Sequence, residues 1–203
     1  MSTANPVTSP QPGGSAAQQE RRRRILDATL ALASGGGYDA VQMREVAERA
    51  DVALGTLYRY FPSKVHLLVS VLAREFARSE VQLRDKPVPG DTPAERVIAV
   101  LKRLSRGLQA DPQVTEALTR AFMFADASVR EEIHQVGMLL TTMLTRVIRP
   151  GAVEPTEADV AVAKVIGDVW LSALVAWVTG RATAEETAEQ MEVAVHLLLR
   201  DGD

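Results

Sequence analysis

Apolar residues return every three or four positions along almost the whole chain, and the two-residue alternation of a half-buried strand is absent. Ile25, Leu26, Ala28, the Thr29 methyl, Leu32 and Ala33 set the period of a first helix from Arg21 to Ser34. Gly35, Gly36 and Gly37 stop it, because glycine accepts the positive φ that follows a helix end. Asp39 with Gln42 three residues on is expected to form a capping box for a second helix ending near Arg49. Asp51 is expected in the left-handed turn that follows, a conformation aspartate accepts better than most residues. A third helix is expected at about 53–60, broken by Phe61 and Pro62, and Ser63 caps a long fourth helix from Lys64 to about Leu83. Pro87, Pro89, Gly90 and Pro93 mark a loop. Asp91 or Thr92 then caps a helix with Pro93 in its first turn, where the missing N–H costs nothing, and that helix ends before Asp111 and Pro112. Further helices are expected at about 113–125, 127–148, 156–180 and 184–200. The pattern predicts an all-α fold of about nine helices without an internal repeat.

A chain of 203 residues can bury a real hydrophobic core. It has no cysteine, which excludes disulfides and thiolate metal sites. Residues 1–19 are rich in Ser, Thr, Pro, Gly, Gln and Ala and read as a disordered tail and not as a secretion signal. The longest charge-free apolar stretch, Val169 to Gly180, has twelve residues, short of the ~20 needed to span a bilayer. A soluble, cytoplasmic protein is expected.

The net charge of −3 does not by itself suggest nucleic acid, but its distribution does. Residues 1–64 hold eight Lys and Arg against six acids, whereas the remainder carries 15 against 20. Only the first part is cationic, as expected if that part alone faces DNA.

Within it, residues 41–68 carry two short helices separated by Ala50, Asp51 and Val52, the layout of a helix-turn-helix at about 42–61. Val46, Ala47, Ala50, Val52, Leu57 and Phe61 are expected to form the seam between the helices. The opposite face then presents Gly55, Thr56, Tyr58, Arg59 and Tyr60. Gly55 lets the backbone approach a phosphate. Thr56 offers a hydroxyl for phosphate and a methyl for thymine, and the tyrosine hydroxyls reach phosphate oxygens. Lys64 joins the exposed N–H groups of the fourth helix as an anion site, and Arg44 suits phosphate or guanine. Arg21 to Arg24 read equally well as a minor-groove arm or as a solvated charge run heading a helix.

The run Gly-Thr-Leu-Tyr-Arg-Tyr-Phe-Pro-Ser-Lys at 55–64, preceded by Glu-Val-Ala-Glu-Arg-Ala at 45–50, resembles the signature of the TetR family of repressors. The resemblance implies a homodimer that reads an inverted repeat of double-stranded DNA and lets go when a small hydrophobic effector binds the C-terminal domain. It carries the DNA-facing role to Gln42, Arg44, Gly55, Thr56, Tyr58, Tyr60 and Lys64. Three positions depart from the usual pattern: Gln42 for Ser or Thr, Asp51 for Gly, and Ala53 for Ser. They bear on the operator sequence and not on the fold. Segments 36–44, 50–53, 63–70, 125–128 and 168–172 further resemble the branch of that family that represses steroid catabolism. That branch implies a steroid-derived coenzyme A thioester as effector; the alternative is a multidrug or fatty acyl-CoA sensor of the same family. On this reading residues 20–80 form the DNA-binding domain and residues 81–203 the effector and dimerisation domain.

Leu104, Phe122, Met123, Phe124, Met138, Met143, Trp170 and Trp177 are candidates to line an effector pocket, methionine being adaptable to bulky apolar ligands; each one singly reads equally as core. Residues 160–178 are apolar around most of the helix, which predicts burial on all sides. A dimer interface is therefore expected through the small residues Ala163, Gly167, Ala173 and Ala176, with Met191, Val195 and Leu198 of the last helix beside them. Asp168 inside this apolar helix is expected to bond a neighbouring hydroxyl or backbone group. His66, His134 and His196 lack metal spacing. An enzyme is disfavoured, since the chain shows no nucleophile elbow, phosphate loop or zinc-binding HExxH. A purely structural interaction protein would not need the Gly-Thr-x-Tyr-x-Tyr face.

Overall fold

The structure is a computed structural model that describes residues 13–84 and 86–200, with side chains from residue 16 on. The described residues form nine α-helices and one 3-10 turn, with no strand. The helices are α1 (Gly13–Ala40), α2 (Met43–Arg49), α3 (Leu54–Tyr60), α4 (Lys64–Arg84), α5 (Pro93–Gln109), α6 (Pro112–Met123), α7 (Arg130–Ile148), α8 (Glu157–Val178) and α9 (Ala184–Leu198). The 3-10 turn is Ala127–Val129.

Several punctuation marks act as the sequence suggests. Thr92 and Thr156 each close a capping box, with Glu95 and Asp159. The Ser63 hydroxyl accepts from the His66 N–H at 3.1 Å, and Asp51 adopts φ 53° in the turn between α2 and α3. Two expectations fail. No capping box forms at Asp39: Gln42 is the N-cap of α2 without a side-chain cap, and its amide donates to the Asp39 carbonyl instead. The first helix begins at Gly13 and not near Arg21. Residues 13–19 are therefore helical where a tail was expected, because Ala16, Ala17, Gln18 and Gln19 are good helix formers that continue the register. The rest of that expected tail, residues 1–12, lies outside the described residues.

At Gly36 and Gly37 the axis of α1 breaks, with Gly37 at φ 66°. A β-carbon there would meet the carboxylate of Glu116 at 2.7 Å and the amide oxygen of Gln113 at 2.9 Å. The glycine thus serves both the turn and the close approach of α6. From this break hangs the first core, in which Ile25, Val41, Val46, Leu57 and Phe61 are fully buried. Each such side chain contributes roughly 1.5–3 kcal/mol by leaving water. α4 packs on α1, α6 and α7 and joins the small N-terminal helices to the larger body. The division expected near residue 80 falls inside this helix. In the body, α8 packs on α6, α7 and α9, and α5 on α6, α7 and α9. α8 has 22 residues, and an 18-residue stretch of it has a mean hydropathy of 1.7, enough to cross a membrane by length and composition, yet it packs here against α6, α7 and α9.

Candidate DNA-binding face and effector cavities

α2 and α3 meet through Val46, Ala47, Ala50, Leu57 and Phe61, all buried, with Val52 half-buried beside them. This seam turns the other side of α3 outward. Gly55, Tyr58 and Arg59 are exposed there, while Thr56 and Tyr60 are half-buried. Nothing lies within 4 Å of a β-carbon built on Gly55, so the backbone is open to a phosphate. Gln42 and Arg44 are exposed at the start of α2. Among the described residues, none pairs with the guanidinium of Arg44 or Arg59. Unpaired cations over an open backbone are what phosphate recognition needs.

The arginine run is largely engaged by the protein itself. Arg22 stands over the Phe61 ring at 5.0 Å. Arg23 pairs with Glu20 and Asp27, and Arg24 donates to the Ala50 carbonyl at 2.8 Å. Lys64 is not simply an open ammonium. Its Nζ lies 3.9 Å from the centre of the Tyr38 ring, and Arg120 of α6 covers the same ring at 4.5 Å. Burial holds the Lys64 pKa below the usual lysine value, with Asp39 opposing that shift and Arg120 adding to it. The Tyr38 N–H donates to Glu116 of α6 at 2.8 Å, and Arg120 reaches Asp39 at 3.3 Å. Farther along, His66 of α4 pairs with Glu132 of α7 at 2.7 Å. No group of histidines and carboxylates that could hold a metal occurs among the described residues.

Cavities fill the C-terminal body. One of about 600 Å³ lies between α1, α4, α5 and α6, and one of about 270 Å³ between α4, α6, α7 and α8. They share Leu72, Phe76, Leu108, Thr115, Leu118 and Trp170 as walls. A third, of about 450 Å³, lies between α5, α8 and α9 and is also walled by Trp170. Trp170 therefore stands between all three. Its indole N–H donates to the Ser105 hydroxyl at 3.1 Å, and its ring meets Phe76 edge-on at 6.1 Å. Volumes of this size and apolar lining suit a bulky small molecule.

The candidate pocket residues separate accordingly. Leu104, Phe122, Trp170 and Trp177 line these cavities. Met143 is buried and lines a different cavity at the far end of α4. Met123, Phe124 and Met138 are more than half exposed and line none of the cavities described here, because they fall at the end of α6 and on the outer face of α7. Missed were Leu72 and Phe76 of α4, and Thr115 and Leu118 of α6. Their i, i+4 and i, i+3 spacing was visible in the sequence, but nothing there told pocket wall from core. Asp168 is exposed at the edge of the smaller cavity, near Lys164, and makes no hydrogen bond among the described residues, so the expected internal partner is absent.

The expected interface residues also divide. Ala163, Ala173, Met191 and Val195 are buried in this chain's own core, and Gly167 faces Leu140 of α7, 3.2 Å from where its β-carbon would stand. Ala176 is half-buried and Leu198 exposed. The outward apolar face of α8 and α9 is made instead by Val165, Val193 and Leu197, the last two 60% and 56% exposed.

Residues 25–71 match the model of bacterial regulatory proteins of the tetR family, and residues 90–198 match the tetracyclin repressor-like C-terminal domain. The HTH-type transcriptional repressor KstR of Rhodococcus jostii strain RHA1 is 61% identical over 92% of this chain and 86% of its own length. The chain belongs to the TetR family. KstR of Mycobacterium tuberculosis strain H37Rv is 55% identical over 94% of the chain and 86% of that relative. A TetR transcriptional regulator from Rhodococcus sp. RHA1 superposes with a TM-score of 0.83 at 30% identity, covering 92% of this chain and all of that one. As a TetR-family member the chain is a DNA-binding transcriptional repressor and not an enzyme, as its named relatives are repressors.

Proposed function

We propose that this chain is a dimeric repressor of sterol and lipid catabolism genes, released from an inverted-repeat operator by a steroid-derived coenzyme A thioester. The observation that carries this reading is the high identity to KstR repressors along nearly the whole chain, the effector body included. The family's DNA-facing positions, Gln42, Arg44, Gly55, Thr56, Tyr58, Tyr60 and Lys64, together with Arg59 on the same outward face, supply phosphate and base contacts. Residues 20–80 form the DNA-binding domain and 81–203 the effector and dimerisation domain, with the protein in the cytoplasm beside its operator. Val165, Val193 and Leu197 lie at the two-fold interface, since an exposed apolar face on two adjacent helices is costly in water. The steroid lies in the two adjoining cavities that share Trp170 as a wall. A regulator of the same fold from Thermus thermophilus is described in complex with lauroyl-CoA, at 21% identity and a TM-score of 0.69; that likeness supports the fold, and the choice of steroid over fatty acyl rests on the closer repressors.

The test is fluorescence anisotropy of a labelled inverted-repeat duplex from upstream of sterol-degradation genes. Protein should bind it with strong salt dependence, and a steroid coenzyme A thioester should release it where free coenzyme A does not. Tight binding that no thioester reverses would remove the steroid assignment.

A further inference from the structure

Threonines inside these helices mostly spend their hydroxyls on their own helix. Thr29 donates to the Ile25 carbonyl at 2.8 Å, Thr142 to that of Met138 at 2.8 Å, Thr145 to that of Thr141 at 2.9 Å and Thr187 to that of Ala184 at 2.9 Å. Bonding back to the preceding turn is the ordinary arrangement of a helical hydroxyl. Thr115 donates instead to the Leu108 carbonyl at 2.6 Å. Of the threonines within the described helices, Thr56, Thr119 and Thr141 alone make no side-chain hydrogen bond to a described residue. Thr56 belongs to the outward side of α3. The other two, from α6 and α7, line the same cavity, the one of about 270 Å³.

Thr119 is only 7% exposed, and a hydroxyl kept from water without a partner is costly. Its oxygen is not sealed in the packing, however. Among the described residues, the only side-chain oxygen both sealed and unpaired is that of Ser70. The Thr119 hydroxyl therefore opens on the cavity it lines. Thr141 is half-buried. Since α6 and α7 each pack on α4 and α8, the two hydroxyls come from two different walls. The surrounding lining is apolar, with Leu72, Phe76, Leu140 and Leu174, while the charged Lys164 and Asp168 are exposed at the edge. A hydroxyl both donates and accepts, so this pair suits a carbonyl or hydroxyl oxygen carried by an otherwise apolar body. A saturated acyl chain would leave both oxygens dry and unpaired.

We propose that Thr119 and Thr141 form a neutral-oxygen subsite that binds a ketone or hydroxyl on the ring system of the effector and so selects an oxygenated polycycle over a plain acyl chain. Placing the effector in this cavity rests on the function proposed above; the subsite itself stands on the two unpaired hydroxyls. It also supplies a physical reason, independent of any relative, for a steroid over a fatty acyl chain.

Isothermal titration of the full chain decides it with two pairs of probes. One pair is a steroid coenzyme A thioester bearing a ring ketone and the same thioester with that ketone reduced to methylene. The other pair is the same two steroids as free carboxylates. The wild-type chain is expected to bind each ketone about tenfold tighter than its deoxy partner, because the deoxy form strands the hydroxyls. Thr119→Val and Thr141→Val should each reduce that preference and the double variant should remove it, by weakening the ketone and not the deoxy form. Thr142→Val, exposed on α7 and outside the cavity, should behave as wild type. Since neither hydroxyl has an internal partner, the melting temperature should not fall in either valine variant; a fall would show that the hydroxyls serve the fold, and would overturn the subsite. Equal binding of ketone and deoxy form by the wild-type chain, equal weakening of both in the variants, or no binding of any probe also overturns it. If the free carboxylates show the ketone preference while neither thioester binds, the subsite stands and the coenzyme A reading falls.

Discussion

Gly37 carries two constraints at once, a φ of 66° and the oxygens of Gln113 and Glu116 close to where a β-carbon would stand. Gly37→Ala should therefore cost about 1–3 kcal/mol in urea unfolding; an unchanged midpoint would mean that α6 gives way freely. Asp159 is a second residue with a measurable signature. The side-chain hydrogen bond from Arg149, then those from Thr156, lower its pKa to about 2 from 3.8. A lowered folded-state pKa contributes stability that is present above the unfolded value and lost as pH falls through the folded one. Asp159→Asn should thus be less stable than wild type by about 1–2 kcal/mol at pH 7, with the difference shrinking as pH falls below 3.8 and vanishing only below about 2. A constant difference across that range would place the loss in packing. On the proposed DNA face Tyr58 is exposed; if its hydroxyl contacts phosphate, Tyr58→Phe should weaken all duplexes alike, and an altered sequence preference would speak against that role. Individual residues were legible where chemistry is local: Asp51 in its turn and Ser63 at its cap followed from side-chain character. Met123, Phe124 and Met138 misled because composition does not say which way a side chain points.

At the scale of elements, the sequence located helices well and their faces less well. In α6 the apolar Ala117, Leu118 and Ala121 are buried as their spacing predicts, but Thr115 and Thr119 are buried with them and Met123 is exposed. α8 is apolar on nearly every side, so its period carries no phase. That is why Ala163 and Ala173 were expected at a dimer interface although they face the chain's own core. Gly167, half-buried, faces Leu140 of α7. A larger side chain there meets Leu140 and enters the smaller cavity. Gly167→Leu should leave sedimentation as a dimer intact and abolish effector-driven release. Leu197→Glu, on the outward face of α9, should do the reverse and yield a monomer with greatly weakened operator binding. If Gly167→Leu dissociates the dimer and Leu197→Glu does not, the faces of these helices have been interchanged.

Across the whole molecule, the two functional regions meet at α6. One side of α6 carries Thr115 and Leu118 into the cavities proposed for the effector. The other carries Glu116 and Arg120 to Tyr38 and Asp39, beside Lys64 and the DNA-binding helices. This junction was not legible in the sequence, because Tyr38 and Glu116 lie 78 positions apart and neither belongs to a motif. The central claim is that occupancy of the cavity at Trp170 releases DNA. Trp170 and Trp177 are the only tryptophans in the chain, so Trp177→Phe leaves emission from Trp170 alone. That variant, bound to labelled operator and titrated with a steroid coenzyme A thioester, should change its tryptophan emission and lose DNA anisotropy over the same concentration range. DNA release with unchanged Trp170 emission would place the effector elsewhere, and an emission change with the operator still bound would break the link between cavity and DNA.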